Sequence, residues 1–181
     1  MQARCRETQA CFCLPGWDSP ASDSPPAAVS KHGRPDFDVF ADALGCGLGD
    51  TCDPARLRYE HIVVLVNRIG RGPRLVSQLL AALFAEMRPV IESGRVHVGL
   101  PPRFSAVGAD GHRRFAFTRE ESESLLEGLP GDALVHHYYR IGDIEGEFLQ
   151  ETLLDRETRR TVTITPSDEL ASCAGVFTFP E

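Results

Sequence analysis

The sequence has no apolar run of the length that a membrane-spanning helix requires, which is about 20 residues. Its N-terminal residues also lack the hydrophobic stretch of a signal peptide. We therefore expect a cytoplasmic protein without a membrane partner. In that compartment the six cysteines are expected to be reduced thiols and not a disulfide framework.

Lysine is almost absent, and arginine carries the positive charge. Lys31 is the only lysine among 19 basic residues, which we interpret as a compositional habit of the source genome. The formal net charge is −7, yet residues 54–119 hold eleven arginines against four acidic residues, so this stretch carries +7. Such asymmetry is typical of a phosphate-binding face. Arginines spread over a solvated surface would produce the same count.

Spacings typical of metal sites are missing as well. Cys5, Cys11 and Cys13 do not have the Cys-x-x-Cys spacing of zinc sites. His136 and His137 are neighbours in a predicted strand, so their side chains point to opposite faces and make a poor chelate. We expect a structural role for the histidine pair and no metal site at the cysteines, whose role the sequence leaves open.

Length and composition predict one domain with tails. A chain of 181 residues with 42% hydrophobic content can bury a single core. Residues 1–34 are rich in Ser, Pro, Ala and Cys, and we expect little regular structure there. Residues 35–165 form the predicted domain, and residues 166–181 a C-terminal tail.

The most informative segment is residues 62–87, an apolar run followed by a Gly-rich turn and an amphipathic helix. Residues 62–66 are apolar without alternation, which predicts a central strand covered on both faces. Pro73 suits a first helical position. An apolar stripe at spacings of three and four then follows: Leu75, Val76, Leu79, Leu80, Leu83 and Met87. Residues 67–72 therefore form a loop at the carboxyl end of a strand, the usual ligand position in α/β folds.

The rest of the pattern completes an α/β prediction. Thr118 and Glu121 have the spacing of a capping box at the start of a helix that ends at Gly128. Further helices are predicted over residues 36–44 and 147–154, a hairpin over 106–117 with its turn at 109–111, and strands over 95–100, 133–139 and 161–165.

Several segments, in chain order, resemble the B subunit of bacterial type IIA topoisomerases (DNA gyrase and topoisomerase IV) in its metal-binding TOPRIM domain. Residues 43–50 are similar to the family's Ala-Leu-Gly-x-Gly-Ile-Gly segment, and Arg58-Tyr59 leads into the strand and loop as it does there. Residues 91–98, 101–104, 138–143 and 151–155 resemble later family elements. The resemblance covers about residues 36–165. It implies a TOPRIM-like parallel-core sheet flanked by helices, with a small hairpin and helix extension.

The chain departs from the family at the metal site. The three aspartates that hold magnesium in the family correspond to Asn67, Ile69 and Arg71. Magnesium binds through oxygen ligands and usually through at least one carboxylate. We therefore expect no catalytic residue, no bound metal and no cofactor. The family's early glutamate has no convincing counterpart, and no ATPase or transducer domain is expected.

Binding without catalysis is the prediction that remains. The Gly70-x-Gly72 turn is a candidate phosphate cradle, although an inherited turn geometry is the plainer interpretation. The candidate DNA- or anion-binding residues are Arg68, Arg71, Gly72, Arg74, Arg103 and Arg140. The resemblance implies a gyrase-B-like protein that binds DNA or the topoisomerase A subunit. A working fragment of an ATP-dependent type II topoisomerase and a decayed remnant without selected activity are the alternatives.

Overall fold

The fold is given by a computed structural model that describes residue 5 and residues 7–12, 35–131, 133–168 and 177–180. Most of the predicted N-terminal segment 1–34 and much of the tail 166–181 lie outside these residues. In chain order the helices and strands are α1 (Pro35–Leu44), β1 (Ile62–Val64), α2 (Gly72–Glu86), α3 (Arg88–Glu92), β2 (Val96–Gly99), β3 (Phe104–Val107), β4 (Arg113–Ala116), α4 (Arg119–Glu127), β5 (Val135–His137), α5 (Gly146–Leu149) and β6 (Thr161–Thr163).

The first sheet has the order β1-β2-β6, with β1 parallel to β2 and β6 antiparallel to it. Within the described residues β1 is an edge strand and ends at Val64, so the prediction of a central strand over 62–66 was wrong. Its apolar sequence has another cause. Ile62 and Val64 enter the core, while Val63 and Leu65 lie beside Leu153 over the opposite face. An apolar run in a strand therefore indicates that both faces of the strand are covered, but it does not indicate how many strands pair with it.

The predicted amphipathic helix is confirmed as α2, and the apolar stripe lies against β1 and β2 in the main core. A second, short helix follows α2 after a break at Met87. Met87 leaves helical geometry with φ −140° and ψ 31°, and α3 begins anew with Pro89 in its first turn, because proline cannot continue the preceding hydrogen-bond ladder. Gly94 then ends the segment with φ +72°, in the left-handed region that glycine adopts most easily.

The second sheet is antiparallel with the order β4-β3-β5, and it contains the predicted hairpin. The capping box before α4 is confirmed: Glu121 N–H donates to Thr118 Oγ1 at 3.1 Å, and Thr118 N–H donates to Glu121 Oε2 at 3.4 Å. Besides β1 and β2, which are each two residues shorter than predicted, three predicted elements are shorter or less regular than expected. These are β5, β6 and the helix over 147–154, which is one α-turn followed by a π-turn at Gln150–Leu154.

One apolar core joins α1, α2, α3 and the first sheet, which confirms the α/β class. The C-terminal residues also reach it. Phe179 is buried there, Phe177 packs beside it, and Phe177 N–H donates to Ser77 Oγ at 2.8 Å. Across the described part of the chain, none of the helices has the length and apolar character needed to cross a membrane.

Candidate functional site

The loop between β1 and α2 folds tightly back on itself. Gly70 has φ +70°, and Arg71 precedes the helix with φ −81° and ψ −12°. A Cβ at Gly72 would lie only 1.6 Å from the carbonyl oxygen of Asn67. The first residue of α2 must therefore be glycine, because the Asn67 peptide occupies the space of any side chain.

Asn67 joins this loop to a distant segment. Its Oδ1 accepts a hydrogen bond from the Ile141 N–H at 2.9 Å. Arg140 precedes Ile141, and its own N–H donates to Asp143 Oδ2 at 2.9 Å. Through this contact the candidate residue Arg140 is brought next to the candidate loop, although 74 positions separate Asn67 from Ile141.

The positions that hold magnesium in the family do not fit that ion here. Asn67 offers one amide oxygen that already accepts a hydrogen bond, Ile69 offers a hydrocarbon that is 53% exposed, and Arg71 offers a cation. Magnesium requires hard oxygen ligands in near-octahedral geometry. Elsewhere among the described residues, no group of three or more His, Cys, Asp or Glu side chains could hold a metal ion.

Arg68 is used by the fold itself. Its guanidinium donates to the Pro101 carbonyl oxygen at 3.3 Å and to the Pro180 carbonyl oxygen, and it stacks over the Phe179 ring at 5.5 Å. Burial lowers the pKa of Arg68, and the nearby positive charge of Arg103 lowers it further. Arg68 therefore anchors the C-terminal segment over the strand–helix junction.

The remaining basic candidates are exposed around the same junction. Arg71 and Arg74 lie at the start of α2, and Arg103 lies just before β3. The backbone of Arg103 is fixed on both sides, since its N–H donates to the Ala116 carbonyl oxygen at 2.7 Å and its own carbonyl oxygen accepts from Tyr138 N–H at 2.9 Å. Arg68, Arg71, Gly72 and Arg74 thus lie in or beside the loop, Arg140 adjoins it through Ile141, and the charge of Arg103 is close enough to lower the pKa of Arg68.

Several other arginines of the basic stretch already have partners. Arg113 donates to Ser105 Oγ at 3.2 Å and stacks on the Phe148 ring at 4.5 Å. Arg58 and Arg95 donate to backbone carbonyl oxygens, and Arg88, Arg114 and Arg119 pair with acidic side chains four residues away. The local excess of arginine in the sequence therefore overstates the charge available to a ligand.

A polar cluster on the first sheet was missed at the sequence level. His61 Nδ1 and His97 Nε2 are 2.9 Å apart, and His97 Nδ1 is 3.0 Å from Thr163 Oγ1. Burial lowers the pKa of His97, and the charges of His61 and Arg159 lower it further. Only the strand register brings these residues together, and no spacing in the sequence signals it.

No protein-family profile matches this chain. Curated relatives do match: the B subunit of DNA gyrase from Thermotoga maritima is 32% identical over 127 residues, which cover 70% of this chain and 20% of that protein. This chain is related to the B subunits of type IIA DNA topoisomerases. The gyrase B subunit of Micrococcus luteus is 30% identical over 149 residues, covering 78% of this topoisomerase B relative. The B subunit of DNA topoisomerase 4 from Staphylococcus epidermidis is 27% identical over 146 residues, covering 79%.

The comparisons confirm the relationship that the sequence motifs indicated. The relationship concerns one segment only. This topoisomerase B relative spans about a fifth of the length of the curated proteins that it matches, from 20% to 22% in these three.

Proposed function

We propose that this topoisomerase B relative is a TOPRIM-like, non-catalytic protein of the cytoplasm that binds DNA through the exposed arginines around residues 67–72. The observation that carries the proposal is the exchange at the family's metal positions. Asn67, Ile69 and Arg71 stand there, and Arg71 is exposed, as are the candidate arginines Arg74, Arg103 and Arg140.

Loss of catalysis follows from the chemistry of these side chains. An arginine neutralises a phosphate and donates hydrogen bonds to it. It cannot polarise a leaving oxygen or activate an attacking hydroxyl as a bound divalent ion does. The Asn67 side-chain oxygen already accepts a hydrogen bond from Ile141. Residues 67–72 also contain no carboxylate that could recruit that ion. Binding without turnover is the function that such a loop supports.

The choice of DNA rests on charge and on the loop backbone. Exposed arginines near one loop supply the sequence-independent attraction that dominates protein–DNA affinity. The start of α2 lies in the same loop, and the first amides of a helix are oriented to receive an anion. Both features favour phosphate oxygens over base edges, so the expected binding has little sequence preference.

The test is the salt dependence of binding to a double-stranded DNA fragment, followed by fluorescence anisotropy. The dissociation constant should rise steeply with salt, and Arg71→Ala or Arg103→Ala should each reduce the salt slope by about one counterion. Arg156→Ala is the matched control, because Arg156 pairs with Glu60 at 2.8 and 3.3 Å, just before the start of β1, while the loop follows the other end of that strand. Undetectable binding, or variants that keep the wild-type slope, would reject the proposal.

One observation favours the topoisomerase A subunit as a second partner. Ile69 and Tyr139 are 53% and 62% exposed, and they lie on the two segments that the Asn67–Ile141 hydrogen bond joins. Tyrosine and arginine beside an exposed aliphatic group are typical of protein interfaces. Co-elution with the purified A subunit, lost in Ile69→Ser and Tyr139→Ser while DNA binding is kept, would support this partner. A decayed remnant would bind neither ligand.

A further inference from the structure

Cys46 and Cys52 lie in the segment between α1 and β1 and pack on the same core, and the proposed function makes no use of them. The Asp53 N–H donates to the Cys46 carbonyl oxygen at 2.8 Å, which closes a turn. Gly47 permits this closure, since a Cβ there would lie 2.6 Å from the Thr51 carbonyl oxygen. The Cys46 thiol donates to the Gly47 carbonyl oxygen at 3.8 Å, the two thiols are close enough to affect each other's pKa, and both are unbridged.

The two thiols differ in access to solvent. Cys46 is 0% exposed and lies in the main core. Cys52 is half-buried and packs against that core from the turn. Of these two thiols, a small oxidant dissolved in water therefore reaches Cys52 first, because Cys46 is enclosed in the core against which Cys52 packs.

We propose that Cys46 and Cys52 form an intramolecular disulfide when the protein meets hydrogen peroxide. The Cys52 sulfur attacks one peroxide oxygen, the O–O bond breaks, and Cys52 becomes a sulfenic acid as one water leaves. The Cys46 sulfur then attacks the Cys52 sulfur, the S–S bond forms, and the S–O bond breaks to release a second water. The two thiols together lose two electrons and two protons, and the peroxide is reduced to two waters.

The environment of the pair makes this reaction slow at neutral pH. Burial raises the pKa of Cys52 to about 11, and the neighbouring Cys46 and Asp53 contribute to that rise. Burial also raises the pKa of Cys46, against which the neighbouring Cys52 thiol and the charge of Arg56 act. Because only the thiolate reacts, the rate should increase about tenfold for each pH unit between neutral pH and pH 9.

The turn lies far from the proposed DNA surface. It packs at the carboxyl end of α2, where the Glu86 carboxylate approaches Gly49. The loop at residues 67–72 lies at the other end of this helix, whose 15 residues span about 22 Å. Bridge formation should leave DNA affinity unchanged, so the inference stands independently of the proposed function.

The sequence allows a direct assay. Trypsin cleaves after Lys31 and Arg56 but not between Arg34 and Pro35, so both cysteines fall in one peptide, residues 32–56, with no other cysteine. The full chain is treated with hydrogen peroxide, alkylated with iodoacetamide, digested and weighed by mass spectrometry. The peptide should lose two hydrogens and take up no alkyl group, and dithiothreitol should restore both alkylation sites.

Matched variants separate the pair from the other cysteines. Cys52→Ser changes a half-buried residue and should abolish the bridge, with circular dichroism checking that the fold is kept. Cys5→Ser and Cys11→Ser change exposed cysteines and should leave the bridge intact. The proposal is overturned if the 32–56 peptide keeps two alkylatable thiols, if Cys52 stops at sulfinic acid, or if either cysteine is linked to a different one.

Discussion

Replacing Gly72 with alanine tests whether the strand–helix loop is as tightly closed as the structure shows. The added Cβ would lie 1.6 Å from the Asn67 carbonyl oxygen and 2.7 Å from the Asn67 carbonyl carbon. A carbon and an oxygen atom normally stay about 3.3 Å apart or more. The backbone at Asn67 or at the start of α2 must therefore move by about 1.5 to 2 Å.

The expected loss of stability combines two effects. Overpacking costs about 1 to 3 kcal/mol, and the upper part of that range applies because the obstacle is backbone and not a side chain that can rotate away. Moving Asn67 also breaks its hydrogen bond to Ile141, which is worth about 1 kcal/mol. The better helix propensity of alanine returns less than about 1 kcal/mol. The net expectation is a loss of about 2 to 4 kcal/mol in the free energy of unfolding.

Urea denaturation measures this quantity from the midpoint at constant slope. Gly142→Ala is the matched control, since a Cβ there meets no atom within 4 Å and Gly142 is not among the glycines with positive φ. The control should stay within about 0.5 kcal/mol of the wild type. If Gly72→Ala were as stable as Gly142→Ala, the close approach of Asn67 to α2 would be wrong, and with it the geometry of the candidate site.

Three further predictions concern the core, the metal and pH. Leu79→Ala should lower the free energy of unfolding by about 2 to 5 kcal/mol, because Leu79 is buried in the core. A chelator should leave the melting temperature of the wild type unchanged, and a drop on chelation would point to a structural metal. Calorimetric titration with magnesium or manganese should give no site-specific heat, and binding tighter than about millimolar that loop substitutions abolish would refute this. The lowered pKa of His97 means that the unfolded chain binds the proton more readily, so stability should be lost as pH falls from the ordinary histidine value of about 6.5 toward that lowered pKa. Comparing the melting temperatures of the wild type and His97→Asn between pH 8 and pH 5.5 checks this, and equal slopes in the two proteins would contradict it.

The elements that could be predicted from the sequence are those with local causes. The capping box at Thr118 and Glu121 satisfies its own backbone amides within four residues. The stripe of α2 follows from helical geometry alone, and the hairpin of β3 and β4 from its turn. Each of these signals comes from residues that are close to one another in the sequence. It therefore does not depend on which distant segments meet.

The features that the sequence did not indicate have tertiary causes. The edge position of β1, the pairing of His61 with His97 and the use of Arg68 all depend on which distant segments meet. Arg68 is an example. Its place between a strand and a Gly-rich turn indicates a ligand site, yet its partners come from residues 101, 179 and 180. No periodicity in the sequence carries that information.

Contacts of the same kind fix the candidate loop. The loop at residues 67–72 is held by a neutral hydrogen bond from Ile141 to Asn67, by the packing of Gly72 against the Asn67 peptide and by Arg68 reaching two carbonyl oxygens. None of these contacts needs a cation to offset clustered carboxylates. A substitution at Ile69 or Arg71 therefore changes the surface that the loop presents and leaves these three contacts in place. The proposed DNA-binding surface requires a loop that keeps its shape through contacts of this kind.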